Sequence, residues 1–462
     1  MSRTILYNAE MVSDNRRLHG YIVVAGREIE KIAEGEPSAE EKAGADVVED
    51  LGGRLLLPGA IDTHVHFREP GLTHKASIAT ESAAAVSGGV TSYIDMPNTR
   101  PATTTMAAVA DKKRIAAERS YANYGFFLGV TNSNLDEIQR ADRHEIPGVK
   151  LFMGSSTGNM LVDDESTMSQ LFRAYKGVIA VHAEDEALLA AARKRLAEQY
   201  GDAQPVVLHS QARPAEACYK ATERAVALAQ KYGARLHILH VSTARELSLL
   251  SAGDMAGKRI TAETCPHYLL FEENDLGREQ GYMLKCNPAI KSAADRDALV
   301  KALSDKLIDT IATDHAPHLA EEKQGTLLQA ASGMPGVRFM LVEMLTLAAR
   351  SDNGLSVERV VELTAHNPAR LYGIERRGYL RRGYYADMVV VEPTAKYRPE
   401  VGSYLPAEEM SPCSWTPYAM TEVGYRVVST YVNGEKVYDG ERVAGRRAAM
   451  AMRFGSGEDE RK

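Results

Sequence analysis

Short apolar runs recur through the middle of the chain, and most precede a stretch whose apolar residues have helical spacing. We predict eight strands, at Gly59–Asp62, Val90–Asp95, Tyr124–Val130, Gly148–Phe152, Val178–Val181, Arg235–Val241, Ile260–Thr264 and Asp309–Thr313. Helices are predicted at Ala76–Val86, Met106–Arg119, Glu186–Glu198, Pro214–Tyr232, Ala244–Ser251 and Ala293–Leu303. This alternation indicates βαβ units and a parallel sheet. Eight units favour a closed α/β barrel. A doubly wound open sheet is the alternative, although no GxGxxG motif follows an early strand.

Both ends of the chain are rich in short β-type segments. The first 55 residues contain Ile22–Ala25, Ile29–Ile32 and Val47–Asp50, and the last part contains Ala386–Glu392 and Val427–Val432, followed by the turn signal Asn433-Gly434. Neither end is large enough to bury a core alone, so we expect them to pair. The predicted domains are therefore a β-sandwich formed by residues 1–55 and 374–462 and a barrel formed by residues 56–373. The terminal GSGEDERK reads as a disordered tail.

Composition is that of a soluble globular protein. Of 462 residues, 44% are hydrophobic and 25% charged, with a net charge of -7. No basic block or long apolar run points to nucleic acid or membrane as a partner. The N-terminus has no apolar run behind positive charges, so we expect a cytoplasmic protein. The spacing of its 4 cysteines gives no disulfide framework, and we expect reduced thiols.

The most specific chemical signal is the motif Asp62-Thr63-His64-Val65-His66 at the end of the first predicted barrel strand. Residues two apart on a strand point to the same side, so His64 and His66 can both face the carboxyl-terminal mouth of a barrel. Two imidazoles there suit a divalent metal. The alternative is a pair of unrelated polar residues in a loop.

Other predicted strands also end in residues that can hold metals. These residues are Lys150, His182, His240 and Asp314. A lone histidine is more often a hydrogen-bonded core or surface residue, but four histidines and an aspartate at one rim favour a metal site. Lys150 has two interpretations. It is either a surface lysine after a turn or a neutral lysine that reacts with carbon dioxide to give a bridging carbamate.

The set HxH, Lys, His, His and Asp, in this order, resembles the amidohydrolase superfamily. Three further segments resemble its cyclic-amide branch, which comprises dihydroorotases, hydantoinases and allantoinases: Glu263–Tyr268 (ETCPHY), Ala365–Ala369 (AHNPA) and Gly378–Asp387 (GYLRRGYYAD). The resemblance implies a distorted (β/α)8 TIM barrel with a small composite β-sandwich domain formed by both termini.

The resemblance also implies a metal centre of two Zn²⁺ ions bridged by carboxylated Lys150 and a hydroxide. His64 and His66, with Asp314, match the ligands of the more buried metal, and His182 and His240 match those of the second. Asp314 also matches the catalytic residue that moves the proton. Some bacterial dihydroorotases carry Asp where Lys150 stands, which leaves the subfamily open.

Within this branch, the positions that match substrate contacts favour a ring that bears a carboxylate. Those positions are Arg68, Asn98, Asn287, His318, Ser332 and Gly333. Arg68, Asn98 and His318 can converge on one carboxylate, since an arginine fork binds it bidentately. Arg68 paired with a surface acid and Asn98 as a turn residue are the alternatives. His267 is expected to be structural.

The resemblance therefore implies a dihydroorotase, which hydrolyses (S)-dihydroorotate reversibly to N-carbamoyl-L-aspartate in pyrimidine biosynthesis. The alternatives are an allantoinase, a hydantoinase or dihydropyrimidinase, and a catalytically silent scaffold. A homodimer or homotetramer is expected, and association with aspartate transcarbamoylase is a further possibility that the resemblance raises.

Overall fold

The N-terminal segment forms five strands. The structure is a computed structural model that describes residues 2–154, 160–350, 352–445 and 447–455. The strands are β1 (Arg3–Ser13), β2 (Arg16–Ala25), β3 (Glu28–Glu34), β4 (Val47–Asp50) and β5 (Leu55–Pro58). The predicted strand segments lie in β2, β3 and β4. Strand β1 was not predicted, because an irregular register between Leu6 and Ala9 breaks the alternation of buried and exposed residues.

The described residues in the middle of the chain form nine parallel strands. They are β6 (Ala60–Val65), β7 (Val90–Asp95), β8 (Asn123–Phe126), β9 (Leu128–Gly129), β10 (Gly148–Phe152), β11 (Val178–His182), β12 (Arg235–Ile238), β13 (Ile260–Thr264) and β14 (Thr310–Ile311). One sheet has the order β6-β7-β8 and the other β14-β13-β12-β11-β10-β9. All eight predicted strands are thereby confirmed in position. The segment Tyr124–Val130 is broken at Phe127, whose N–H donates to the carbonyl of Asp95.

The first of these strands lies beside the segment that follows the last. Val65 forms a parallel bridge with His315, and the N–H of His66 donates to the carbonyl of His315 at 2.7 Å. The Asp62 carboxylate accepts hydrogen bonds from the backbone N–H and the hydroxyl of Thr313, at 3.1 and 2.5 Å. The carboxyl ends of β6 and β14 are therefore held side by side.

The α-helices of the described residues are distributed along the chain, and several of them lie between consecutive parallel strands. They are α1 (Ala39–Ala43), α2 (Ile78–Ser87), α3 (Met106–Arg119), α4 (Leu135–Arg140), α5 (Glu165–Ala174), α6 (Glu186–Tyr200), α7 (His209–Ala212), α8 (Ala215–Tyr232), α9 (Pro266–Leu270), α10 (Ala293–Ser304), α11 (Met340–Ala348), α12 (Val357–Val361) and α13 (Asn367–Tyr372). Short 3-10 helices cover Val206–Leu208, Glu246–Leu249, Glu273–Gly277, Gly281–Leu284, Glu321–Lys323, Ala407–Glu409 and Pro417–Met420, and a π-helical turn covers Glu362–His366.

The predicted helices agree with the structure except for one. The prediction of a helix over Ala244–Ser251 is wrong, since only the 3-10 helix Glu246–Leu249 forms there. The N–H of Leu250 donates to the carbonyl of Leu247, three residues back, and the backbone is extended at Leu250. Tight bonds of this kind do not propagate into a long helix.

The C-terminal segment returns to the N-terminal strands. Strands β15 (Met388–Tyr397), β16 (Val423–Val432) and β17 (Glu435–Tyr438) complete an eight-stranded sheet of order β17-β16-β15-β5-β1-β2-β3, with β4 beside β1. The predicted turn at Asn433-Gly434 is confirmed, with φ of 50° and 81°. The predicted tail lies outside the described residues from 456 onward.

Every residue of β6, β7, β8, β10 and β11 is buried. This explains their near-continuous apolar runs, since parallel strands covered by helices have no solvent-facing side. No helix in the described part of the chain is long and apolar enough to cross a membrane.

Candidate metal centre

The structure brings the HxH motif and Asp314 together. Oδ1 of Asp314 lies 3.2 Å from Nε2 of His64 and 2.9 Å from Nε2 of His66. The possible ligand atoms of these three residues all lie within 4.8 Å of one another. The motif can do this because β6 ends beside the segment after β14, where Asp314 stands. The three residues thus form a group that could hold a metal ion.

Hydrogen bonds at the far side of each ring orient the two histidines. Nδ1 of His64 lies 2.8 Å from the carboxylate of Glu263, and Nδ1 of His66 lies 2.7 Å from Oδ1 of Asn98. Both partner atoms are acceptors, so each Nδ1 carries the proton. In the neutral rings, the Nε2 lone pairs then face the carboxylate of Asp314. Lone pairs and an anion that converge in this way need a cation between them, which is the arrangement expected of a metal site.

A second pair of histidines lies next to the first. Nδ1 of His182 is 2.8 Å from Nε2 of His240, and Nε2 of His182 is 2.9 Å from Glu184. Arg213 in turn donates two hydrogen bonds to the Glu184 carboxylate. The ring centroids of His240 and His64 are 5.4 Å apart, so the two groups are neighbours.

Lys150 lies on β10 near the second pair. It stands two residues before Phe152, which is in register with His182 of β11. Its side chain is 1% exposed, which contradicts the reading of a surface lysine. Burial lowers the pKa of Lys150 to about 7. A neutral amine is therefore accessible near physiological pH, which is the form that reacts with carbon dioxide.

Burial also controls the charges of the other candidate ligands. It lowers the pKa of His66, His182 and His240, which favours the neutral imidazole. Burial opposes ionisation of Asp314, but the neighbouring His64 and His66 hold its pKa well below its usual value. The group therefore presents neutral nitrogens and a carboxylate, which is a donor set that suits zinc.

Three residues of the site have a left-handed backbone, which is uncommon for residues other than glycine. The φ angles are 67° at Arg68, 40° at His240 and 48° at Asp314. Each follows the end of a parallel strand, and the turn of the backbone redirects the side chain. Strain of this kind concentrates at functional sites.

The structure also brings Arg68 to His318. Nη2 of Arg68 lies 3.0 Å from Nε2 of His318, and Nε of Arg68 donates to the carbonyl of Pro317 at 3.0 Å. Arg68 is 9% exposed and forms no salt bridge with any carboxylate among the described residues. The alternative of a surface ion pair is therefore wrong.

The remaining predicted substrate residues have mixed surroundings. Asn98 hydrogen-bonds His66, as described above, and Oδ1 of Asn287 is buried without a partner in the described structure. The carbonyl of Ser332 lies 3.1 Å from Nε2 of His318. Both backbone groups of Gly333 are engaged, because its N–H donates to Lys285 and its carbonyl accepts from Lys323.

Gly333 is needed for close packing. Its φ is 136°, and a Cβ at this position would lie 2.8 Å from the carbonyl oxygen of Ala316 and 3.1 Å from Cδ2 of His318. A side chain here would push the loop away from Ala316 and His318.

His267 is buried against Tyr268, with ring centroids 4.2 Å apart, and its Nε2 has no partner among the described residues.

The carboxylates that orient His64 and His182 were not predicted from the sequence. Glu263 begins the ETCPHY segment and Glu184 follows His182 by two residues, but no role was predicted for either carboxylate. Carboxylates near the histidines could have been considered, because a metal-bound histidine usually donates its other ring N–H to a carboxylate or a carbonyl. Glu184 lies two residues after His182 and thus on the same side of the chain as that ligand.

Comparison with known proteins identifies the family. The chain matches the amidohydrolase family model over residues 55–437. It is 38% identical to a dihydroorotase of Halobacterium salinarum over 392 residues, which cover 84% of this chain and 87% of the relative. It is 34% identical to an allantoinase of Streptomyces avermitilis over 409 residues, which cover 87% of this chain and 88% of the relative.

A solved structure agrees with these relatives. The L-hydantoinase (dihydropyrimidinase) from Arthrobacter aurescens superimposes with a TM-score of 0.89 at 27% identity, covering 98% of this chain and 100% of that one. The order of histidines, lysine and aspartate along the chain, their convergence in space and the family match over most of the length all agree. The chain belongs to the amidohydrolase family.

Proposed function

We propose that the protein is a dihydroorotase. The observation that carries the proposal is Arg68, a buried guanidinium next to the candidate metal centre that has no carboxylate partner among the described residues. A buried cation without a counter-ion is costly, and an anionic ligand that binds there removes the cost. Dihydroorotate carries a carboxylate on its cyclic amide, whereas hydantoin and allantoin do not. The dihydroorotase relative from H. salinarum supports the same choice.

The residues fit a centre of two zinc ions. His64, His66 and Asp314 would hold one ion and His182 and His240 the other, with Lys150, as its carbamate, between them. Carbamate formation joins the lysine nitrogen to the carbon of carbon dioxide and releases one proton, so the product is an anion. The ions, when bound, would polarise the scissile carbonyl and make a water molecule easier to deprotonate.

The residues of the chain then have separate tasks. Arg68 and His318 bind the substrate carboxylate, and Asn287, with its unpartnered Oδ1, accepts a hydrogen bond from a ring N–H. Asp314 accepts the proton of the attacking water and delivers it to the ring nitrogen as the C–N bond breaks. Asp314 is suited to this because its low pKa keeps it ionised before the reaction. The product is N-carbamoyl-L-aspartate.

We further propose that β6 to β14 form a closed, distorted (β/α)8 barrel of residues 56–373. The bridge between Val65 and His315 supports closure, since it joins the first strand to the segment after the last. Residues 1–55 and 374–462 would form the second domain, which the shared eight-stranded sheet supports.

The second candidate is an allantoinase, because the S. avermitilis relative is nearly as similar as the dihydroorotase. Product analysis separates the two. Zinc-loaded protein incubated with L-dihydroorotate should yield N-carbamoyl-L-aspartate, identified by mass spectrometry. Conversion of allantoin to allantoate, with dihydroorotate left unchanged, would replace the proposal.

A further inference from the structure

The loop between β14 and α11 is held by a buried lysine. The side chain of Lys323 is fully buried. Its ammonium donates to the carbonyls of Lys285 at 2.7 Å, Ala331 at 2.9 Å and Gly333 at 2.8 Å. An ammonium has three N–H donors, so these carbonyls use its full capacity. No carboxylate contacts it in the described part of the chain.

The three carbonyls belong to the two segments that carry proposed substrate contacts. Ala331 and Gly333 flank Ser332, whose own carbonyl contacts His318. Lys285 lies two residues before Asn287 and also accepts the N–H of Gly333 at 2.9 Å. Lys323 therefore ties the Ser332 segment to the Asn287 segment from within the protein.

The charge of Lys323 adds to that of its surroundings. Burial lowers the pKa of Lys323 to about 7, but three accepting carbonyls need three N–H donors and so favour the charged form. On the other side of the loop, Nζ of Lys75 lies 3.1 Å from Nδ1 of His318 and 2.7 Å from Glu322. Together with Arg68, these groups give the site an excess of positive charge.

We infer that Lys323 is a positioning residue for the anionic substrate. It fixes the Ala331–Gly333 backbone beside Arg68 and His318, and its charge favours an anion bound there. It touches neither the substrate nor the candidate ligands, so it acts on binding rather than on the chemical step. The inference rests on the proposed function, because it assumes a substrate that carries a carboxylate.

The test compares Lys323→Met with Lys285→Met. Methionine has similar length and no donor. Lys285 is the matched control, because its ammonium is also buried and also donates only to carbonyls of the same loop, those of Leu327 and Ala330. The Lys285 ammonium makes no hydrogen bond to Ala331–Gly333, and the backbone carbonyl of Lys285, which does contact this segment, is unchanged by the substitution. The measurements are kcat and KM for L-dihydroorotate, zinc content and melting temperature of each purified protein.

Lys323→Met should raise KM about 10-fold or more while kcat and zinc content stay close to those of the wild type. Lys285→Met should change KM by no more than about 3-fold, even if its melting temperature falls as much as that of Lys323→Met. Equal changes in KM for both variants, or a fall in kcat without a change in KM, would overturn the inference. A wild type that leaves dihydroorotate unchanged would instead overturn the proposed function, and the inference with it.

Discussion

The guanidinium of Arg68 lies against the imidazole of His318, with Nη2 and Nε2 3.0 Å apart. Burial and the charge of Arg68 strongly lower the pKa of His318, so the ring is neutral. The Lys75 ammonium donates to its Nδ1, so Nε2 of the neutral ring carries the proton and can donate to the carbonyl of Ser332, 3.1 Å away, but cannot accept from Arg68. A carboxylate bound beside them would accept from Arg68 and leave the ring free to donate.

Replacement of Arg68 by alanine tests this arrangement. We expect kcat/KM for L-dihydroorotate to fall about 100-fold or more, because two charge-assisted hydrogen bonds are lost. Activity on hydantoin, if the wild type has any, should change by no more than about 3-fold. Steady-state kinetics on both rings give the comparison. Arg68→Lys keeps the charge but not the planar fork and should be intermediate. Equal losses on both rings would argue against carboxylate recognition.

Replacement of Asp314 by asparagine separates proton transfer from metal binding. Asparagine retains an oxygen near His64 and His66 but cannot accept the proton at neutral pH. We expect kcat to fall about 1000-fold, within the range for loss of a general base. Zinc measured by elemental analysis should stay above about half of the wild-type content. Full turnover in this variant would refute the role given to Asp314.

Glu263 should control metal affinity through His64. Its carboxylate accepts a hydrogen bond from the Nδ1–H of His64, and Glu263→Gln weakens this hydrogen bond. We expect zinc to bind about 10- to 100-fold more weakly, as measured by competition with a chromogenic chelator. Glu246→Gln is the control, because Glu246 is an equally buried carboxylate that contacts Thr222 and Thr243 instead. A similar loss of zinc affinity in both variants would show that Glu263 has no specific role.

The buried carboxyl of Glu343 predicts a dependence of stability on pH. Burial raises its pKa from 4.5 to about 7, and its partner is the hydroxyl of Thr421. Between these two values the unfolded chain has lost the proton while the folded protein keeps it. The wild type therefore loses stability as pH rises through this window, by up to about 3 kcal/mol.

Glu343→Gln removes this titration. The free energy of unfolding of the variant, relative to the wild type, should rise between pH 5 and pH 8 when measured by urea denaturation. A constant offset from the lost carboxyl does not affect the comparison, since it is the same at both pH values. A difference that stays flat across the window would contradict the buried position of Glu343.

Local patterns were sufficient to predict the parallel strands, whereas the full set of candidate ligands also needed the resemblance to the amidohydrolase superfamily. Buried parallel strands are nearly continuous apolar runs, in which His64 near the end of β6 and Lys150 in the middle of β10 are conspicuous polar residues. Strand β1 was missed because its register is irregular. The partners that orient the ligands, Glu263 for His64 and Asn98 for His66, come from other strands and loops. Such pairings depend on how strands align in space, which local patterns do not encode.

The most direct test of the central claim is the ratio of kcat/KM for L-dihydroorotate to that for allantoin, measured on one zinc-loaded preparation of the wild type. Both rings are cyclic amides, and only the first carries the carboxylate that Arg68 is proposed to bind. The account predicts a ratio of about 100 or more, with both activities abolished by a chelator. A ratio below 1 would contradict the assignment as a dihydroorotase.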